Sequence, residues 1–413
     1  SRLDQLGPTE KTLAQNASVI GTTFWPDAVA AMNGLAGDLE AGLAELQQRD
    51  LVRPGGSSRI TGEREFAFKH VLIRDVAYGQ LPKGRRAVLH RKFADWVAEL
   101  PRDEDELSEI IAYHFEQACL TARTVARPVE SPPVVPAVEA LMRAAGKAER
   151  REGFREAERF YTRALELAED TEVALRSELR YRRARMLVGR GDLKFAREEL
   201  TQVADATAAA ELPHLRCAVL LTLANADSKQ GLAADERKRL AEAAEIAQQV
   251  GDRRLEILAA FELANVRAWF DREAAAAVDD LRDALEWARA YGDRPLLTEA
   301  CMRLGSELYN LGLLTGAEEQ FEQAVALAGE EGSHRDEARA TTLLGRVKYL
   351  RGEVELAEEL AMQALDWLER TGDTFLQIQN LRWLSRYEID RNDLDCAEKR
   401  LRDALPLALE VGG

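Results

Sequence analysis

Residues 300–332 read ACMRLGSELYNLGLLTGAEEQFEQAVALAGEEG, and this stretch decides the fold. Leu304, Leu308 and Leu311 recur at helical spacing, so one face of a first helix is buried. Gly312 interrupts the pattern. A second amphipathic run follows, with Ala317, Phe321, Ala324, Val325 and Ala328 on one face. The small residues Ala317 and Ala324 let two helices approach closely, and Phe321 fills the space between them. Gly332 suits the left-handed position that ends a helix.

The same unit recurs on both sides. A small residue marks the second helix at Ala157, Ala196, Ala277, Ala317, Ala357 and Ala397, with Glu236 standing at the equivalent place in one unit. The markers lie 39 to 41 residues apart. Seven residues beyond each marker comes another small or short apolar residue: Ala164, Val203, Ala243, Ala284, Ala324, Ala364 and Ala404. A fixed period of this length is the mark of a solenoid, and it predicts about seven stacked helix pairs over 138–411 with no strand among them. Gly251, Gly292, Gly332, Gly372 and Gly412 fall where helices stop. Asp252, Asp293, Ser333 and Asp373 follow four of them and suit the cap of the next helix.

Gly305, Tyr309, Gly312, Ala317, Phe321 and Ala324 resemble the tetratricopeptide repeat signature, as do Gly345, Gly352, Ala357 and Ala364, and Ala184, Gly191, Asp192, Ala196 and Leu200. The usual unit is about 34 residues. The longer unit here resembles the arrays of bacterial signal-transduction ATPases and peptide-sensing regulators. Glu236 and Arg272 depart from the signature, so irregular turns are expected near them. The resemblance implies a right-handed superhelix whose first helices line the concave face.

Residues 1–100 read differently. Residues 9–20 predict a helix with Leu13, Ala17 and Ile20 inward, and 26–32 a short second helix. Asp38 suits the cap of a third helix that carries Leu39, Leu43 and Leu46 on one face. Leu51-Val52 and 65–68 then flank a Gly-rich turn at 54–58, which predicts a hairpin. Three helices and a hairpin make a winged helix. Asp38, Glu40 and Glu45 against Arg49 make the third helix acidic, and an acidic recognition helix repels phosphates, so no direct nucleic-acid binding is expected.

The run Phe68-Lys69-His70-Val71-Leu72-Ile73-Arg74-Asp75-Val76-Ala77-Tyr78, with Arg86, Leu89 and His90 downstream, resembles the winged-helix domain that follows the nucleotide-binding core of STAND-type ATPases. In bacteria these sit beside nucleotide-cyclase or LuxR-type DNA-binding domains. His70 falls where relatives carry the histidine of a Met-His-Asp motif, which in the family contacts the β-phosphate of bound ADP. The resemblance implies that His70 senses nucleotide in an intact protein. Its flanking residues, Lys69 and Val71, match the motif only in part. The alternative is a histidine satisfied by local hydrogen bonds at a strand-to-helix junction. There is no phosphate-binding loop in the sequence, so ATP or ADP is expected only with an upstream nucleotide-binding domain, and the chain itself takes no cofactor. Lys83, Arg85, Arg86, Arg91 and Lys92 form a basic helix start, either a solvated face or a docking surface for that core.

Residues 101–137 connect the two parts: a helix over 106–120 with Ile110, Ile111, His114 and Phe115, then a Pro-rich linker from Arg127-Pro128 to Pro136. The repeats occupy 138–413. A net charge of −16 argues against general nucleic-acid binding. Four scattered cysteines give neither a metal spacing nor a disulfide framework, which suits a reduced, cytoplasmic chain. His70 and His114 have no partner histidine or acid at ligand spacing, so no metal site is expected. No apolar run is long enough to cross a membrane. The first residue is not Met, which suggests a fragment of a longer protein.

No Ser/His/Asp or Cys/His set and no Gly-rich cradle can be picked out, so an enzyme is not expected. Two readings remain: the sensory and regulatory half of a STAND ATPase, or a scaffold that binds a partner protein or peptide without nucleotide switching. In either, the residues opposite the packing face of each first helix point into the groove. In the last four repeats these include Trp269, Tyr309, Asn310, Arg339, Arg346, Tyr349, Arg382 and Arg386. The tyrosines and Trp269 offer flat faces with polar tips. The arginines stand out in an acidic chain and suit an acidic peptide or a small anionic ligand. Alternatively the tyrosines pack between repeats and the arginines pair with acids on adjacent helices.

Overall fold

The computed structural model describes residues 2–33, 39–56, 58, 60, 62–100, 107–126, 130–169, 171–230, 233–269, 272–371 and 373–410. Asp38, Ser57, Arg127, Pro128, Gly372, Gly412 and the side chain of Trp269 lie outside the described residues. Twenty α-helices and three short strands are found among them. The chain divides into two compact units. The first comprises Ser1–Lys147 with Thr162–Asp170, and the second Ala148–Tyr161 with Thr171–Gly413.

The first unit opens with helices α1 (Pro8–Ile20), α2 (Pro26–Asn33) and α3 (Leu39–Gln48). Leu13, Ala17, Leu43 and Leu46 are buried, as their spacing predicts. Strands β2 (Val52–Pro54) and β3 (Phe66–Phe68) pair antiparallel with Val52 opposite Phe68. The hairpin gains a third strand that its sequence does not announce, β1 (Thr23–Phe24), giving the order β1-β3-β2. Two residues are too few to show an alternating pattern. Phe24 is buried and lies against Phe66 and Phe68, which holds the strand in place.

Helices α4 (Val71–Gly79), α5 (Lys83–Ala98) and α6 (Ser108–Arg123) follow. Trp25 stacks on Phe93 of α5 with ring centroids 6.1 Å apart, tying α5 to the core. His114 does have a partner histidine, contrary to the sequence expectation. Its Nδ1 lies 2.9 Å from Nδ1 of His90, and His90 Nε2 lies 3.0 Å from the Tyr78 hydroxyl. Twenty-four residues separate the two histidines, so the pairing is made only by packing α5 on α6. One set of tautomers satisfies the chain: Tyr78 donates to His90, and one ring N–H donates to the other ring's nitrogen. A proton added at Nδ1 of His114 would set two N–H groups against each other. Burial, then Arg74 and Arg86, push His90 down to about 3, and burial, then His90 and Arg74, hold His114 well below its usual range. No group of three or more metal-binding side chains occurs among the described residues.

The basic start of α5 is largely engaged. Arg86 donates to the carbonyls of Leu81 and Gly79 and lies over the Tyr78 ring, Lys92 donates to the Met32 carbonyl, and Arg91 pairs with Glu130. Helix α7 (Val134–Arg150) begins inside the predicted Pro-rich linker. Pro132 and Pro133 lie just before it, and Pro136 sits in its first turn, where a missing N–H leaves no intrahelical bond unmade. Helix α8 (Phe154–Leu167) follows.

The second unit is all helical among its described residues. Its further helices are α9 (Val173–Arg190), α10 (Leu193–Ala209), α11 (Pro213–Lys229), α12 (Ala233–Val250), α13 (Arg253–Trp269), α14 (Ala274–Tyr291), α15 (Arg294–Asn310), α16 (Leu314–Glu331), α17 (His334–Leu350), α18 (Val354–Thr371), α19 (Thr374–Asp390) and α20 (Leu394–Glu410). Each packs on the next. The marker residues Ala196, Ala277, Ala317 and Ala357 are fully buried, and Phe321 fills the space between α15 and α16.

Chain reversals sit where the sequence places them. Gly292 and Gly332 end α14 and α16 with φ of 82° and 70°. Asp252, Asp293 and Asp373 cap the following helices through their carboxylates. Ser333 does not. Its hydroxyl turns to Asp336 and Glu152 instead, because Glu152 accepts hydrogen bonds from this turn. Arg272 takes a φ of 58°, a strained place for a residue with a Cβ, at the turn expected to be irregular. No described helix is long and apolar enough to cross a membrane.

Candidate functional site

In a curved stack the helices on the inside lie closest together. Helices α9, α11, α13, α15, α17 and α19 each touch the next in this series as well as their own sequence neighbours. They form the inner face of the second unit. One register position recurs along it at 40 or 41 residues: Arg185, Asn225, Asn265, Ser306, Arg346 and Arg386, all polar. A repeat of this length places equivalent residues on the same face of successive units.

These side chains line connected cavities. A cavity of about 450 Å³ is bounded by Arg185 and Gly189 of α9, Thr222 and Asn225 of α11, Glu299, Arg303 and Ser306 of α15, Arg335, Arg339 and Arg346 of α17, and Phe375 and Gln379 of α19. A second, of about 290 Å³, shares Arg303, Ser306, Arg339 and Arg346 and adds Asn265, Tyr309 and Asn310. A third, of about 440 Å³, is lined by Arg346, Gln379, Arg382, Trp383 and Arg386. Arg346 lines all three. Volumes of this order suit small ligands or short peptide segments.

The arginines differ in what holds them. Arg303 sits between two carboxylates, 2.5 Å from Glu262 and 2.5 Å from Glu299, and Arg339 is 2.7 Å from the other oxygen of Glu299. Burial alone would raise the Glu299 pKa. Arg339 and Arg303 overcome it and bring the carboxyl down to about 2. Arg335 pairs with Asp373 at 2.7 Å and lies over the Phe154 ring, while its backbone N–H donates to Glu152 at 2.7 Å. The turn between α7 and α8 thereby closes on the start of α17.

Arg346 is held otherwise. Its Nη2 donates to the Gln379 amide at 3.0 Å and its guanidinium lies 5.1 Å from the Trp383 ring centre. Its Nε is buried without a hydrogen-bond partner, and among the described residues no carboxylate comes within ion-pair distance. Burial, the largest influence, pushes its pKa down, and Arg382 adds to the effect. Arg346 is half-buried as a whole. A guanidinium partly withdrawn from water and without a counter-charge is costly, and a bound anion would relieve that cost.

No protein-family model and no curated protein sequence matches the chain. Solved structures do. A STAND protein with a tetratricopeptide repeat sensor, from Pyrococcus horikoshii, superposes with a TM-score of 0.56 at 16% identity, over 98% of this chain and 58% of its own length. A Rap protein complexed with Competence and Sporulation Factor gives 0.57 at 14% identity, over 80% of this chain and 94% of its own. The Rap conjugation gene regulator of plasmid pLS20, in complex with the Phr* peptide, gives 0.58 at 14% identity, over 78% and 90%. The chain is a tetratricopeptide-like helical repeat protein. At these identities the likeness is one of fold. The chain spans just over half the length of the STAND structure.

Within the tetratricopeptide-like array, the residues singled out from sequence separate into two groups. Tyr309, Asn310, Arg339, Arg346, Arg382 and Arg386 line the connected cavities. Arg339 is neutralised by Glu299, as the alternative reading expects. Arg386 lies 3.4 Å from Asp390, and Arg382 has no acidic partner among the described residues. Tyr349 packs rather than presents itself: its ring meets Tyr387 at 4.9 Å and its hydroxyl donates to Asp390. Trp269 ends α13, its side chain outside the described residues.

Sequence reading missed Arg303, Glu299, Arg335, Gln379 and Trp383. A signal for most of them was present. Glu299, Arg339 and Gln379 are 40 residues apart, as are Arg303, Leu343 and Trp383, so aligning the first helices position by position brings them onto the same face. In the first unit, His70 precedes α4 in extended conformation, exposed, and its side chain makes no capping hydrogen bond.

Proposed function

We propose that this protein is the sensory and regulatory part of a STAND-type ATPase. In this reading residues 1–100 are a winged-helix domain, residues 101–137 a connection, and residues 138–413 a right-handed solenoid of seven tetratricopeptide-like units. The solenoid binds a protein, peptide or small-molecule signal on its inner face and couples it to an upstream nucleotide-binding domain. The observation that carries the reading is the set of connected, arginine-lined cavities on the first helices, with Arg346 common to all three. The Rap structures, solved with Competence and Sporulation Factor and with the Phr* peptide, support a bound signal on this fold. The likeness to the STAND structure over 98% of this chain, first unit included, supports the coupling. The acidic character of α3, where Glu40 pairs with Arg64 and Glu45 with Arg49, supports a role for the first unit other than gripping DNA.

A second reading, a scaffold that binds its partner without nucleotide switching, is favoured by one observation: the Rap structures are matched over 94% and 90% of their own length. Two experiments test the proposal. Native mass spectrometry of the full-length protein, purified from its own cells, is compared for wild type and Ser306→Trp, which fills the two cavities that Ser306 lines. A bound species present in wild type and lost in the variant, with helix content kept, is the expected result. An identical set of bound species in both removes the cavities as the signal site. For the coupling, His70→Ala in the full-length protein is expected to loosen ADP. Unchanged ADP retention makes His70 structural and favours the scaffold.

A further inference from the structure

We infer that the inner face takes an anionic ligand, its carboxylate or phosphate groups held by Arg346 and, at the outer cavity, by Arg382 and Arg386. This rests on the reading that the cavities are the signal site, and adds the ligand's chemistry to it.

The arginines divide by whether a carboxylate holds them. Arg303, Arg335 and Arg339 each meet a carboxylate at 2.5 to 2.7 Å. They are fixed parts of the wall, and their charges are already answered. Arg346 meets none among the described residues. It has an amide and an indole for company, and one buried N–H without any partner. A guanidinium carries five donors in a planar fork, which matches the paired oxygens of a carboxylate or phosphate. A protein of net charge −16 has acids in abundance to pair with it. At this position it offers none.

The surroundings extend the case. Arg382 and Arg386 stand with Arg346 around the third cavity, and Trp383 forms its apolar wall. Arg382 is exposed and has no acidic partner among the described residues, while Arg386 is loosely placed 3.4 Å from Asp390. Arg346 and Arg386 are equivalent residues of successive repeats, so two guanidinium groups face the same side one unit apart. This spacing favours a ligand with more than one anionic group over a single ion. A purely structural arginine would be expected to stabilise its surroundings. A half-buried one without a counter-charge destabilises them unless an anion joins it.

The test measures thermal unfolding and binding by calorimetry on the whole chain, at constant ionic strength set with chloride. The probes are inorganic pyrophosphate and citrate, with glycerol as the neutral control. The variants are Arg346→Met and Arg346→Lys. Three results are expected together. Without multivalent anions, Arg346→Met unfolds at a higher temperature than wild type. Pyrophosphate, citrate or both bind wild type, and bind Arg346→Met at least tenfold more weakly. Arg346→Lys, which keeps the charge without the fork, falls between them.

Binding of pyrophosphate alone assigns a phosphate ligand, and of citrate alone a carboxylate ligand. The Arg382→Ala/Arg386→Ala double variant repeats the comparison with exposed residues that the fold does not depend on, and covers the case in which Arg346→Met fails to fold. Equal affinities in wild type and these variants, or no binding of either anion, overturn the proposal. If Arg346→Met still retains the species seen by native mass spectrometry in the wild type, the cavities stand as the signal site and only the anionic assignment falls.

Discussion

Glu236 shows how one residue can carry a departure from a repeat. At its position five other units hold a fully buried alanine, and Glu236 itself is fully buried. Neither carboxylate oxygen makes a hydrogen bond of full geometry, and nearby Ser228 and Arg237 only partly offset the burial. Burial first, then Glu262 and Asp227, raise its pKa from the usual 4.5 to about 7. The sign of the consequence follows from proton counting. Between these two values the folded chain binds a proton that the unfolded chain does not, so the contribution of Glu236 is most favourable below pH 4.5 and is lost as pH rises through 7. Glu236→Ala, which restores the repeat's own residue, should therefore stabilise the chain, and more at pH 8 than at pH 5. Urea unfolding at the two pH values measures this. An equal or smaller gain at pH 8 would mean that the carboxylate finds a partner in solution. The sequence marked Glu236 as a departure from the signature. It could not show the charge to be buried, since that depends on how closely α11 and α13 approach α12.

Glycine acts through its element rather than through the chain at large. Gly305, inside α15, faces Phe321 of α16, and a Cβ added there would come within 2.7 Å of the ring. Phe321 is fully buried and cannot withdraw. Gly329, inside α16, is exposed, and a Cβ there would meet nothing closer than 3.9 Å. Gly→Ala within a helix ordinarily stabilises by ~1 kcal/mol. Gly329→Ala should follow this rule. Gly305→Ala should instead destabilise by about 1–3 kcal/mol, the usual cost of overpacking a core. Denaturant midpoints for the two variants decide it, and changes of the same sign would contradict the packing described. This contact was legible beforehand: Gly305, Ala317 and Phe321 belong to the repeat signature, and their spacing fixes both the helix pair and its close approach. Strand β1 was not legible, because it is held by Phe24 against Phe66 and Phe68 and not by any pattern of its own. The His90–His114 contact was hidden for a similar reason, since no local spacing announces a pair formed between two helices.

At the scale of the whole molecule, a period of about 40 residues does two things. It stacks helix pairs through small residues on one side, and it lines up the remaining side chains of the first helices on the other. Apolar periodicity made the first legible. The second was legible only in part, because a single helix shows which of its residues share a face and not which acids of other repeats meet them. Arg346 and Arg386 can be read from their own helices, whereas Arg303 and Arg335 cannot. Their roles depend on Glu262 and Asp373, acids that lie 41 and 38 residues away and meet them only in the stacked array. We propose that the first helices of the second unit are its working surface. Amide hydrogen exchange tests it most directly, comparing full-length protein that carries its co-purified molecule with the same protein after unfolding, dialysis and refolding to remove it. Slower exchange on occupancy is expected in α15, α17 and α19, with α16, α18 and α20 little changed. Protection confined to those second helices, or to residues 1–147, would contradict it.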